Sequence, residues 1–142
     1  MTIPGVPVLY YGDEIGLPGA SDPDSRRPMI FDGLSPHQEG VRNNASKLGH
    51  LRSNHLAFIY GDFRTLKADQ HTYAYSRSYF DEHALVVFNS SDEPGMIRIS
   101  LNGPMGKAGQ FLAHFGHDFH LSDNVLTIEM EPHSFEVVMA TQ

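Results

Sequence analysis

The sequence predicts a mixed fold, with one β/α unit of the parallel-sheet kind first and an all-β antiparallel region after it. Three observations carry this reading. Gly5 to Gly16, GVPVLYYGDEIG, presents Val6 and then Val8 to Tyr11 with only Pro7 between them and no polar face, the pattern of a strand buried on both sides. A stretch of helical period lies downstream. From Tyr60 onward the pattern becomes that of short strands separated by turn residues.

The elements follow in order. Gly12 ends the first apolar run, and Asp13 and Glu14 stand where a parallel strand delivers its carboxyl end, the end at which α/β folds build their sites. Leu17 to Ser35 is rich in Gly, Pro, Asp and Ser and is longer than an ordinary connection, as functional loops are. Ser35-Pro36-His37-Gln38 then supplies a cap, a proline at the first helical position and a glutamine that completes a capping box. Val41, Ala45, Leu48 and Leu51 step by three or four, which predicts a helix from Pro36 to Asn54. Gly40 and Gly49 weaken it, so packing must hold it. Strands are expected at 63–68, 72–79, 84–90, 96–102, 110–115, 125–130 and 134–140, with turns at 80–83, 91–95, 103–104 and 122–124. Such spacing indicates a sandwich or barrel.

Composition bounds the rest. A chain of 142 residues with 40% hydrophobic content is long enough for one globular domain and short for two. A complete (β/α)₈ barrel takes roughly 250 residues, so a barrel-type strand here belongs to one unit whose neighbours lie on other sequence. The net charge of −7, from 10 Lys and Arg against 17 Asp and Glu, and the lack of a basic run give nucleic acid and anionic membranes no electrostatic support. Neither partner is expected. The sequence has no cysteine, which excludes disulfides and thiol-ligated metals and leaves the compartment open. No stretch reaches the roughly 18 apolar residues of a membrane span, and any signal peptide is expected upstream of Met1.

The run GVPVLYYGDEIG, together with DPDSRRPM from Asp22, resembles the last barrel strand and following loop of the α-amylase family of glycoside hydrolases. The pattern Gly-x-Pro-x-x-Tyr-Tyr-Gly-Asp-Glu followed by Asp-Pro-x-x-Arg-Arg-Pro-Met is similar to the neopullulanase and cyclomaltodextrinase branch. The resemblance implies the last β/α unit of a TIM (β/α)₈ barrel over residues 1–58, its helix carrying the pair Leu51-Arg52, and a Greek-key β-sandwich C-terminal domain over 59–142. It also implies a parent enzyme acting on an α-glucan or malto-oligosaccharide, whose catalytic carboxylates lie on earlier barrel strands and not in this chain. Whether the parent is a hydrolase, a transglycosylase or a sucrose-cleaving relative is decided in the barrel.

Each candidate residue has a plain alternative. Family members with the Asp-Pro-x-x-Arg pattern use its Asp and Arg to hold a glucose unit, which points to Asp22 and Arg26 as substrate-binding residues. A carboxylate accepts from vicinal sugar hydroxyls while a guanidinium donates through a planar fork; the alternative is a surface salt bridge, and Arg27 competes with Arg26 for the role. Asp13 and Glu14 are adjacent, and neighbours on an extended strand face opposite ways, so they are expected to bond to nearby loops rather than serve as an acid pair. Tyr10 and Tyr11 are read as barrel-interior residues or sugar-stacking rings. Tyr73, Tyr75 and Tyr79 share a parity and define a second hypothesis, a non-catalytic carbohydrate-binding or structural module, with core packing as its alternative. His114, His117 and His120 have a metal-like spacing, but on strand and turn a step of three reverses the face. Neither a cofactor nor a catalytic residue is expected in this chain. Arg52 is read as a helix anchor. A lone first strand with unpaired edges is expected to pair between copies of the chain, giving a homo-oligomer.

Overall fold

The computed structural model describes residues 1–141. These form two compact units, one of Met1 and Gly5–Asn54, the other of Thr2–Pro4 and the residues from His55 onward.

In the first unit, the expected strand at the start of the chain is not formed. Residues 6–10 have no regular structure, and Val6 and Val8 are 89% and 85% exposed. The correction has a simple cause. A strand exists only through its neighbours, and among the described residues none pairs with this stretch. The last β/α unit of a TIM barrel is therefore not seen as such. Gly12 turns the chain with a φ of +92°, where a Cβ would fall 2.8 Å from Leu17 Cβ, and a 3₁₀ turn follows over Asp13–Ile15.

Helix α1, Pro36–Asn54, has the expected bounds. Its start is the capping box: the Gln38 amide donates to Ser35 Oγ at 3.3 Å, and the Ser35 amide donates to Gln38 Oε1 at 3.0 Å. The predicted face is the one covered, with Leu51 buried, Val41, Ala45 and Leu48 half-buried, and most other positions exposed. Val41 Cγ2 lies 3.6 Å from where a Cβ on Gly16 would be, so α1 closes on the 3₁₀ turn that holds the buried Ile15. Arg52 anchors the helix as expected, donating to the carbonyl oxygens of Met1 (2.6 Å) and Gly5.

The second unit is an antiparallel sandwich. Its strands are β1 (Arg64–Ala68), β2 (Thr72–Tyr79), β3 (Glu82–Asn89), β4 (Gly95–Ser100), β5 (Gln110–Ala113), β6 (Phe119–Ser122), β7 (Val125–Met130) and β8 (Ser134–Thr141). One sheet has the order β1-β2-β3-β8-β5, the other β4-β7-β6. The order is not sequential, as Greek-key connections produce. Between the sheets lies one core, with Ala74, Leu85, Val87, Val138 and Ala140 from the larger and Ile97, Ile99, Leu126, Ile128 and Met130 from the smaller. The smaller sheet alternates buried and exposed residues on β4, whereas β2, β3 and β8 contain runs buried on both faces. The edge strand β1 carries a register shift between Thr65 and Lys67, and the opposite edge, β5, has four residues.

Two elements lay outside the sequence expectation. Helix α2 (Leu56–Tyr60) is separate from α1 because His55 is extended, with φ −127° and ψ 113°; it packs on β2 and β3. The four residues of β6 are too few for a pattern of their own and are defined by their ladder with β7. Their hairpin closes through Asp123 and Asn124, both at positive φ, the backbone of a two-residue type I′ turn.

Arg77 on β2 is a buried charge, 1% exposed. Its guanidinium donates to the carbonyl oxygens of Asp62 (2.9 Å), Gly61 (3.0 Å) and Thr2 (2.8 Å). Tyr75, on the same face, reaches Thr2 Oγ1 at 2.6 Å.

Two outcomes are expected in unfolding experiments. Nothing lies within 4 Å of a Cβ built on Gly40 or Gly49, so Gly40→Ala and Gly49→Ala should each stabilise by up to about 1 kcal/mol and raise the melting temperature by about 2–4 °C; a lower melting temperature would contradict this. Arg77→Met leaves three part-buried carbonyl groups without their donor and should cost about 3 kcal/mol in urea titration. A loss within experimental error would show that water replaces the guanidinium.

Candidate functional site

The loop between the first 3₁₀ turn and α1 contains one further 3₁₀ turn, Asp24–Arg26. The turn brings residues two ahead of it and at its end together. Asp22 Oδ1 and Arg26 Nε lie 3.0 Å apart, with side chains 64% and 73% exposed. Arg27 goes elsewhere: its Nε and Nη2 both meet Asp24 Oδ1 at 2.7 Å. The two arginines are thus distinguished by geometry, Arg26 with Asp22 and Arg27 with Asp24. Asp24 as the partner of Arg27 was not foreseen, although its three-residue separation was a usable signal.

The Asp22–Arg26 pair offers acceptor oxygens and donor N–H groups side by side to solvent. This is the chemistry that recognises adjacent hydroxyls. It moves no proton and forms no covalent bond. An exposed pair of this kind contributes little to stability.

Asp13 and Glu14 are used locally. Asp13 Oδ2 accepts from the Tyr10 amide at 3.0 Å, and Glu14 Oε2 accepts from the Gly12 amide at 2.8 Å. They close the turn, as expected, although on a 3₁₀ turn rather than a strand end. Tyr10 and Tyr11 are not interior residues: they are 58% and 41% exposed, with ring centroids 4.5 Å apart.

In the sandwich, the three tyrosines do not form an exposed row. Tyr75 is buried, its ring centroid 4.7 Å from that of Phe63 and 5.6 Å from that of Tyr73, and Tyr79 lies 5.6 Å from Tyr60. The histidines of the H-x-x-H-x-x-H spacing are also separated. His114 lines an open, mainly apolar hollow of about 540 Å³ with Phe111, Leu112 and Met139, His117 bonds to Glu136, and His120 is exposed on β6.

Glu136 is the residue that sequence reasoning passed over. It sits fully buried in β8, and its carboxylate accepts from the amides of His114 (2.8 Å), Phe115 (2.7 Å), His117 (3.0 Å) and Val137 (2.9 Å) and from His117 Nδ1 (3.1 Å). All of its bonds go to the turn after β5 and to its own strand, so it shapes the sandwich. Its only trace in the sequence is a carboxylate interrupting an apolar strand.

The family model described as "Maltogenic Amylase, C-terminal domain" matches residues 63–137, which run from the start of β1 into β8. The chain belongs to this family. Neopullulanase 2 of Thermoactinomyces vulgaris is 37% identical over 109 residues, covering 75% of this chain and 18% of that protein. A cyclomaltodextrinase of Thermoanaerobacter pseudethanolicus is 36% identical over 96 residues, covering 68% of this chain and 17% of that protein. The crystal structure of an α-amylase from Geobacillus thermoleovorans, complexed with acarbose, superposes with a TM-score of 0.83 at 26% identity, over 99% of this chain and 31% of that one. The resemblance to the α-amylase family and its neopullulanase and cyclomaltodextrinase branch is borne out. The chain spans about a fifth of the length of these curated relatives.

Proposed function

We propose that this chain is the carboxyl-terminal portion of an α-amylase-family glycosidase, with residues 1–58 as the final strand, loop and helix of the catalytic barrel and 59–142 as the C-terminal sandwich. The parent hydrolyses α-glucosidic bonds in malto-oligosaccharides or cyclodextrins with retention, through a covalent glycosyl-enzyme. Asp22 and Arg26 hold a glucose unit on the non-reducing side of the scissile bond. The observation that carries the reading is the exposed carboxylate and guanidinium 3.0 Å apart, in a loop of the family's Asp-Pro-x-x-Arg pattern. Relatives named neopullulanase and cyclomaltodextrinase support the substrate class.

The exposed apolar stretch supports the barrel assignment. Val6, Val8, Leu9 and Tyr10 are each more than half exposed, a surface that neighbouring barrel strands of the parent would cover. In the isolated chain the same surface meets a second copy, giving a homo-oligomer. The residues that attack the anomeric carbon and protonate the leaving group come from the parent's earlier strands, and binding by Asp22 and Arg26 does not replace them.

In the parent enzyme, Asp22→Ala or Arg26→Ala should lower kcat/KM on maltoheptaose by about 10- to 100-fold, the worth of hydrogen bonds to a charged group. Arg27→Ala should stay within about threefold, since a rim ion pair contributes little. The isolated chain, assayed alongside, should release no reducing sugar above a heat-killed control. Unchanged kcat/KM in both Asp22→Ala and Arg26→Ala would remove the sugar-binding role, and turnover by the isolated chain would remove the division of labour.

A further inference from the structure

Among the buried titratable side chains that the proposed function does not use, His83 stands apart from Arg77 and Glu136, whose charged groups are hydrogen-bonded. His83, on β3, is 0% exposed, and neither of its ring nitrogens makes a hydrogen bond. It lies near the start of β3, the middle strand of the larger sheet, opposite Ser78 of β2 on one side and Ala140 of β8 on the other. A neutral imidazole without partners is a tolerable core group. An imidazolium there has two N–H donors and a charge with no acceptor.

We propose that His83 is an acid-sensitive latch of the sandwich: the neutral ring closes the end of the sheet where β2, β3 and β8 pair, and its protonation opens that end. The groups facing it do not compensate. Ser78 and Ala140, its cross-strand neighbours, carry no charge, and Leu85, next along its face of β3, belongs to the apolar core. Two carboxylates act on it, Asp62 and Asp81. Asp62 is already engaged, accepting from the Ser78 amide at 2.9 Å through Oδ1 and pairing with Arg64 at 2.7 Å through Oδ2. Glu82, next in the strand, accepts from the Ala57 amide at 3.3 Å.

Burial lowers the His83 pKa from its ordinary 6.5, against the weaker upward pull of Asp62 and Asp81. The unfolded chain therefore takes up a proton that the folded chain refuses. Stability is complete above about pH 6.5 and falls as the pH drops below it, until the depressed folded value is reached.

The test compares urea unfolding of the full chain with that of His83→Phe between about pH 7.5 and pH 5, the range of histidine titration. The unfolding constant of the unaltered chain should rise by up to about tenfold per pH unit below pH 6.5 relative to the variant. The exposed His120→Gln variant should keep the slope of the unaltered chain. Equal slopes for the unaltered chain and His83→Phe would overturn the proposal, as would the same flattening in His120→Gln. Should His83→Phe fail to fold, ring NMR of the unaltered chain decides: the His83 ring staying neutral until the fold is lost supports the latch, and a ring that titrates near its ordinary value with the fold intact refutes it.

Discussion

The buried guanidinium of Arg77 is the constraint on which the second unit depends. A buried charge is tolerable only when its donors find acceptors, and here Nε, Nη1 and Nη2 of the guanidinium each reach a main-chain carbonyl group, of Asp62, Thr2 and Gly61. Segments distant in sequence are thereby fixed to the face of β2. The Thr2–Pro4 segment has no ladder of its own, yet belongs to the compact body of the sandwich. Hydrophobic burial is non-directional; the fork of the guanidinium is directional, and it states where each carbonyl must be.

Glu136 performs the reciprocal task with the opposite charge. Arg77 collects acceptors and Glu136 collects donors, four of them backbone amides. Asn89 adds a neutral version, donating to the carbonyl oxygens of Glu131 (2.9 Å) and Glu93 (3.2 Å) and accepting from the Ser91 amide at 3.0 Å. Each ties irregular backbone to regular strand, which is where a sandwich needs direction most. The apolar core between the sheets supplies cohesion but no preference among connections of similar length.

What the sequence made legible, and what it hid, follows from the range of the forces involved. The bounds of α1 were readable because a capping box and a one-sided apolar stripe are local, and the bounds of β2 and β7 were readable because β-branched and aromatic content and turn residues are local. The first strand failed for the opposite reason: Val6 to Tyr11 has the composition of a buried strand, but strand geometry is a property of a pair. Helix α2 was hidden because LAFIY continues the apolar stripe of α1, and only the extended backbone at His55 separates the two. At the candidate site, the closeness of Asp22 and Arg26 followed from their spacing. The choice between Arg26 and Arg27 needed coordinates, since both can reach a carboxylate across one turn. Buried charges such as Arg77 and Glu136 leave no periodic signal, because the groups that satisfy them lie on main chain whose path the side-chain pattern does not encode.

The margins of the larger sheet have a consequence for how such molecules behave in company. A bulge spoils the regular ladder of β1, and β5 ends after four residues. Crowded copies thus find no long, flat template along which to extend the sheet, even where Leu112 on β5 stands largely in water. The strands at either margin of the larger sheet act as terminators of its own ladder.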